Sequence, residues 1–237
     1  MKKLLIILSI LLTSISNLNA QAYWACLNMQ VDPEGQEQVV EAIENLMGSD
    51  LFSQAPWSVT LNEVQFNSKI GNLEVTHQLC FLGESSDAFA FWGQGPPPSV
   101  EGIMLFNALN KYVDFEQSIL GSPLIFDPNN LNSNFAGVWG INVKDPLTYA
   151  KEFVKLKNFI DSSDSSGTFE LHEAILGAQP GVTHYFVARS ENLKSWLDSR
   201  NQIVNSKAFQ SFFANTREVS ETLFNFGVRI VKRYNMD

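Results

Sequence analysis

Apolar residues in this chain alternate over short runs and recur at helical spacing between them. Residues 23–31 are rich in aromatic and aliphatic side chains and predict a strand. Asp32-Pro33 then opens a helix, the Asp as cap and the Pro at a position whose N–H is not needed. Val39, Val40, Ile43, Leu46 and Met47 fall on one helical face, and Glu37, Glu41 and Glu44 on the other. Residues 59–66 and 74–82 predict strands joined by a turn at 68–72. Residues 93–98, Gly-Gln-Gly-Pro-Pro-Pro, cannot be helix. A helix over 100–112 and a strand over 117–126 follow, with Pro123 marking a sheet edge or a bulge.

The same order then recurs. After the polar linker 129–135 come a strand over 137–143 and a helix opened by Asp145-Pro146, with Tyr149, Phe153, Leu156 and Ile160 as one stripe. Residues 169–176 and 182–188 predict a hairpin. A broken helix over 193–200 and 207–216 leads to a long final strand, 221–234. Leu61-Asn62-Glu63-Val64 followed by Val75-Thr76-His77 is answered by Leu171-His172-Glu173-Ala174 followed by Val182-Thr183-His184. Asn28 ahead of Asp32-Pro33 is matched with Asn142 ahead of Asp145-Pro146. Two copies of one strand–helix–strand–strand–helix–strand unit are expected, over 23–128 and 136–237.

Lys2, Lys3, the apolar run 4–12 and Ala20-Gln21-Ala22 have the form of a cleaved leader, residues 1–22, so the chain is expected to be periplasmic or secreted. In such a compartment Cys26 and Cys80 suggest one disulfide. Both lie in the first copy, and alignment puts their counterparts at Gly140 (or Trp139) and Val187. The 237-residue chain carries a net charge of −9, unevenly spread. Residues 23–128 hold 14 acidic residues against Lys69 and Lys111; residues 129–237 hold 11 acidic and 12 basic. This balance argues against nucleic acid and anionic membrane as partners, and a cationic protein partner fits the acidic half.

The element order, with Ser206-Lys207-Ala208-Phe209-Gln210-Ser211-Phe212-Phe213 in the last helix, resembles the ferredoxin-like dimeric α/β-barrel superfamily, which includes the antibiotic-biosynthesis-monooxygenase type of domain. The resemblance implies an α+β fold: two tandem ferredoxin-like βαββαβ repeats packed sheet to sheet as an intramolecular barrel, hence a monomer with an internal pseudo-dimer. It implies a pocket between helices and sheet in each half. It also makes strands one and three neighbours, which brings Cys26 beside Cys80.

Polar strand residues give the candidate chemistry. Strand two pairs with strand three, so Glu63 should lie near His77, and Glu173 near His184, as acid–base pairs. Alternatively, they are hydrogen-bonded sheet residues repeated because the fold is. His172 and Glu173 point to opposite faces, so no metal site is expected. Superfamily members that degrade heme use an Asn on strand one, a Trp on strand three and a His on the second helix. Only the Asn has a match here, at Asn28 and Asn142, so no cofactor is expected. Asn28, Asn142, Trp92, Trp196, Phe209 and Phe213 are the candidates for lining a pocket. The primary expectation is an exported protein that binds a small apolar or aromatic molecule. The alternatives are a cofactor-independent monooxygenase-like enzyme and an interaction module using the acidic face.

Overall fold

The computed structural model describes residues 21–67, 73–90, 92, 98–127, 132–163 and 167–235. Residues 1–20 of the leader, the 68–72 turn, 93–97 and 128–131 lie outside the described residues. Eight strands carry the fold: β1 (Tyr23–Val31), β2 (Trp57–Asn67), β3 (His77–Gly83), β4 (Val113–Ile125), β5 (Phe135–Val143), β6 (Gly167–Leu176), β7 (His184–Ser190) and β8 (Ser220–Tyr234). Five helices flank them: α1 (Gln36–Met47), α2 (Val100–Tyr112), α3 (Pro146–Asp161), α4 (Leu193–Val204) and α5 (Lys207–Thr216).

All pairings are antiparallel, and the strands close into a barrel in the order β1-β3-β2-β8-β5-β7-β6-β4. Each half contributes four adjacent strands, in the orders 4-1-3-2 and 8-5-7-6. The halves join along β2–β8 and β4–β6, which leaves no open sheet edge. Pro123 sits in β4 beside a register shift, so its missing N–H falls at a bulge.

Strand alternation sends odd residues of β1 to β3 to the helices and even ones into the barrel. In the first half Met29, Val59, Leu61, Leu79 and Phe81 meet Val39, Ile43, Leu46 and Leu105. In the second half Ile141, Phe169, Leu171 and Ala188 meet Tyr149, Phe153, Leu156, Ile160 and Phe212. Phe153 is wholly buried, and truncating it to Ala would cost about 3–5 kcal/mol.

Helix ends follow local rules. Asp32 caps a short 3-10 turn at Pro33–Gly35, and α1 starts only after it. Asp145 caps α3 through its bond from Thr148 N, with Pro146 in the first turn. Asn192 and Ser195 form a capping box on α4. Ser206 accepts from Phe209 N, which restarts the chain as α5 and makes the break.

Register fixes which positions correspond. Met29 faces His77 as Ile141 faces His184. Thr76 and Thr183 make matching bonds, each N–H to the carbonyl of Met29 or Ile141 and each hydroxyl receiving the N–H of Val31 or Val143. The counterpart of Asn28 is therefore Gly140, not Asn142, because the chain between strand and helix cap is longer in one half. Cys26 and Cys80 are register partners and form a disulfide. Their counterparts are Val138 and Val187, themselves register partners. The bridge is thus replaced by an apolar pair, and Gly140 and Trp139 are not its equivalents.

The uneven charge is partly answered within the chain. Arg229 on β8 donates to Glu63 at 2.9 and 2.5 Å, and Lys232 pairs with Glu44 at 2.7 Å. These exposed pairs each contribute at most about 1 kcal/mol.

Candidate functional site

The second half holds a cavity of about 410 Å³ between its helices and its sheet. Trp139, Phe169, Phe186 and Ala188 form the floor, Tyr149 comes from α3, Trp196, Ser199 and Ile203 from α4, and Phe209, Phe212, Phe213 and Thr216 from α5. The helical stripes put these rings on one side, and the break between α4 and α5 lets two short helices bracket the opening. Trp196 is held by its Nε1–H, which donates to Ala188 O at 3.2 Å. Its ring lies nearly parallel to Trp139, 18° between planes and 6.2 Å between centroids, and Trp139 stacks on Phe186 at 5.0 Å. Phe213 is largely exposed, and Arg200 and Arg217 also line the opening with exposed positions.

The two halves differ at the level of this space. Ala188 corresponds to Phe81. In the first half the Phe81 ring fills the same level, packed 5.8 Å from Trp57 and 5.2 Å from Trp92, with Phe89 against both tryptophans. Trp92 therefore belongs to a packed aromatic cluster of the first half and is not among the cavity's lining residues.

Few polar groups enter the cavity. Burial pushes the Tyr149 phenol far above its ordinary range, so it stays protonated. Thr216 Oγ1 donates to Phe212 O at 2.9 Å. The lining has no imidazole and no thiol, and a phenol this hard to ionise is a poor iron ligand. The donor set thus does not fit heme.

The expected acid–base pairs are register partners, Glu63 opposite His77 and Glu173 opposite His184. None of the four lines the cavity. Glu63 is engaged by Arg229, and Glu173 is exposed. His77 and His184 are buried, and their Nδ1 atoms lie 3.0 and 2.9 Å from the hydroxyls of Thr76 and Thr183. Those hydroxyls point to the carbonyls of Met29 and Ile141, so each imidazole donates to its Thr and braces the strand junction. Burial lowers both imidazole pKa values, partly offset by the facing carboxylate. Asn28 is buried in a chain of amides, accepting from Gln78 at 2.8 Å and donating to Gln117 at 3.2 Å. Neither Asn28 nor Asn142 lines the cavity.

A different charged cluster lies inside the barrel. Glu170 is wholly buried and accepts from Arg189 Nε at 2.8 Å and His172 Nε2 at 3.0 Å. Burial alone would raise its pKa, but the Arg189 charge and the His172 contact outweigh it and hold it at about 2. The signal was Glu170-x-His172, two residues apart on one strand and so on one face. The first half has Thr60, Asn62 and Leu82 at these three positions.

No family model matches the chain, and no curated protein matches it significantly. Solved structures do. A protein of Lactobacillus acidophilus described as a "putative monooxygenase" superposes with a TM-score of 0.63 at 8% identity, covering 91% of this chain and 97% of its own. An anthrone oxidase-like protein matches with a TM-score of 0.55 at 11% identity, over 91% and 93% of the two chains. A heme-binding protein from Thermus thermophilus matches at 0.52 and 10% identity, over 90% and 92%. At these identities the likeness establishes a shared α+β barrel fold.

Proposed function

We propose that this protein is a cofactor-independent, monooxygenase-like enzyme that binds a small aromatic molecule in the cavity of the second half. The observation that carries this is the cavity itself: aromatic walls, about 410 Å³ of space, and cationic residues at the opening. Flat rings match the stacked Trp139 and Trp196 faces. Structures of the same fold described as monooxygenase and anthrone oxidase-like support oxygenation as the chemistry.

An electron-rich substrate such as an anthrone needs no cofactor. Loss of its activated C–H proton to water at the opening gives a carbanion that reduces dioxygen, forms a C–O bond to it and takes a proton back from water. The resulting hydroperoxide loses water to leave a quinone, so one anthrone and one O2 give one anthraquinone and one water. Arg200 and Arg217 would favour the anionic substrate at the opening, while the aromatic walls exclude water. The second half is the active one in this reading, and the first half is scaffold.

The halves are further proposed to be tandem copies of one unit, on their matching element order and their matching Thr-His junctions. Export, to the periplasm or beyond, is proposed from the leader-like residues 1–22, and the Cys26–Cys80 bridge supports it because such bridges persist in oxidising compartments.

Titrating the protein with anthrone under nitrogen while following tryptophan fluorescence tests the site. Quenching with a micromolar midpoint, weakened tenfold or more in Trp196→Ala, is expected. Absence of binding, or binding indifferent to Trp196→Ala, removes the proposal. Binding without quinone formation once O2 is admitted would leave a binding protein instead of an enzyme.

A further inference from the structure

The barrel interior contains a second cavity, of about 150 Å³, between the two half-sheets; of its lining residues only Arg189 also lines the helix-side cavity. Its walls are mostly apolar, including Ile119, Val138, Val187 and Val228. Four polar side chains among its lining carry a buried atom with no hydrogen-bond partner among the described residues: Trp24 Nε1, Asn62 Oδ1, His172 Nδ1 and Tyr185 Oη. Asn62, His172 and Tyr185 are only 5–7% exposed. Leaving such groups unpaired costs about 1–3 kcal/mol each, and several in one small space point to something that pairs them.

Their placement is ordered. β2 and β6 stand opposite each other in the eight-strand circuit, so Asn62 and His172, corresponding positions in the two halves, approach the cavity from opposite walls. Trp24 packs edge-on against both His172 and Tyr185, with centroids 5.9 and 5.6 Å apart. Glu170 is ionised and only accepts, so the hydrogen of its bond with His172 sits on Nε2, and Nδ1 of the same ring is left facing the cavity. The cavity thus offers one acceptor (Asn62 Oδ1), one donor (Trp24 N–H) and two further unpartnered groups, Tyr185 O–H and His172 Nδ1. A fixed charge is already neutralised there, Arg189 by Glu170.

We propose that the barrel interior is a binding site for an uncharged single-ring molecule bearing one or two hydroxyl groups. A cavity of about 150 Å³ elsewhere holds benzene, so one ring fills this one against the apolar wall. Its hydroxyls donate to Asn62 and accept from Trp24 and Tyr185. Polycyclic substrates of the helix-side cavity are too large for it. The two sites are distinct, and this one stands whether or not the proposed oxygenation does.

The test is ¹⁹F NMR of the full protein with 4-fluorophenol, using fluorobenzene as the probe lacking a hydroxyl. A bound resonance is expected that weakens five- to tenfold in Tyr185→Phe and in Asn62→Leu and is unchanged in Trp196→Ala. Fluorobenzene should bind this site at least fivefold more weakly. The conservative Tyr185→Phe keeps the ring and so keeps the test valid should Asn62→Leu fail to fold. A bound resonance that responds only to Trp196→Ala would place the probe in the other cavity and overturn the proposal. So would a crystal structure grown with 4-fluorophenol that shows only water inside the barrel.

Discussion

Replacing Glu170 by Gln removes the carboxylate that pairs with Arg189 among the described residues, while keeping size and hydrogen-bonding shape. Glu170 is wholly buried, and Arg189 is 20% exposed. The Glu170 pKa falls from an ordinary 4.5 to about 2 on folding, which corresponds to about 3 kcal/mol of stability at neutral pH. Because the folded value is the lower one, that stability is present above pH 4.5 and is lost as pH falls toward 2. Glu170→Gln should therefore lower stability by about 3 kcal/mol at pH 7, in line with losses on breaking one side of a buried pair, or roughly 10 °C in Tm for a domain of this size. Urea unfolding at pH 7 and pH 3, followed by tryptophan fluorescence, reads this out, and the gap should shrink to about half at pH 3. The triple replacement Glu170→Thr, His172→Asn, Arg189→Leu installs the first half's residues and should fall within about 1 kcal/mol of the parent, since replacing a whole buried ionic group is often neutral. A Glu170→Gln loss below about 1 kcal/mol, or a gap independent of pH, would refute the account of this cluster.

Three further outcomes follow from the register between halves. Val138→Cys with Val187→Cys should form a second disulfide, seen as a loss of two mass units, because these residues pair as Cys26 and Cys80 do. Removing the existing bridge with Cys26→Ser and Cys80→Ser should cost about 4 kcal/mol in the chain-entropy picture, measured as the urea midpoint with and without reductant. His184→Ala should lower stability by about 1–3 kcal/mol through the lost Thr183 contact, whereas the exposed Glu173→Ala should change it by less than about 0.5 kcal/mol. Both should retain full affinity for anthrone; a selective loss of turnover in either would restore them as catalytic residues. Burial lowers the His77 and His184 pKa values, so their contribution is complete above pH 6.5 and declines as pH falls below it.

Periodicity made the element order legible, because a two-residue alternation with polar turns and a capped apolar stripe has few other readings. Helix α2 and the Glu–His hairpin registers match their expected positions. Correspondence between halves was less legible. Asn28 and Asn142 look alike by their distance to an Asp-Pro cap, yet backbone bonds from Thr76 and Thr183 pair Asn28 with Gly140. The Val-Thr-His repeat reads as chemistry in sequence, because spacing does not show that the imidazole nitrogen is spent on its neighbour. Trp196, Phe209 and Phe213 do line the cavity, since α4 and α5 carry them on the sheet-facing side. Trp92 does not, because Phe81 fills its half. The opening at Ala188 leaves no mark in a single chain: a small residue on a strand gains meaning only once its counterpart is known to be Phe81.

Ala188→Phe tests the central claim most directly. It places in the second half the ring that closes the first, and touches none of the polar groups inside the barrel. Anthraquinone formation from anthrone under ¹⁸O2 would be measured for the parent and this variant, with thermal unfolding confirming that both fold. The account predicts catalysed formation by the parent with one ¹⁸O in the new carbonyl, and a fall to the uncatalysed rate in Ala188→Phe. Equal catalysed rates in the two folded proteins would contradict it.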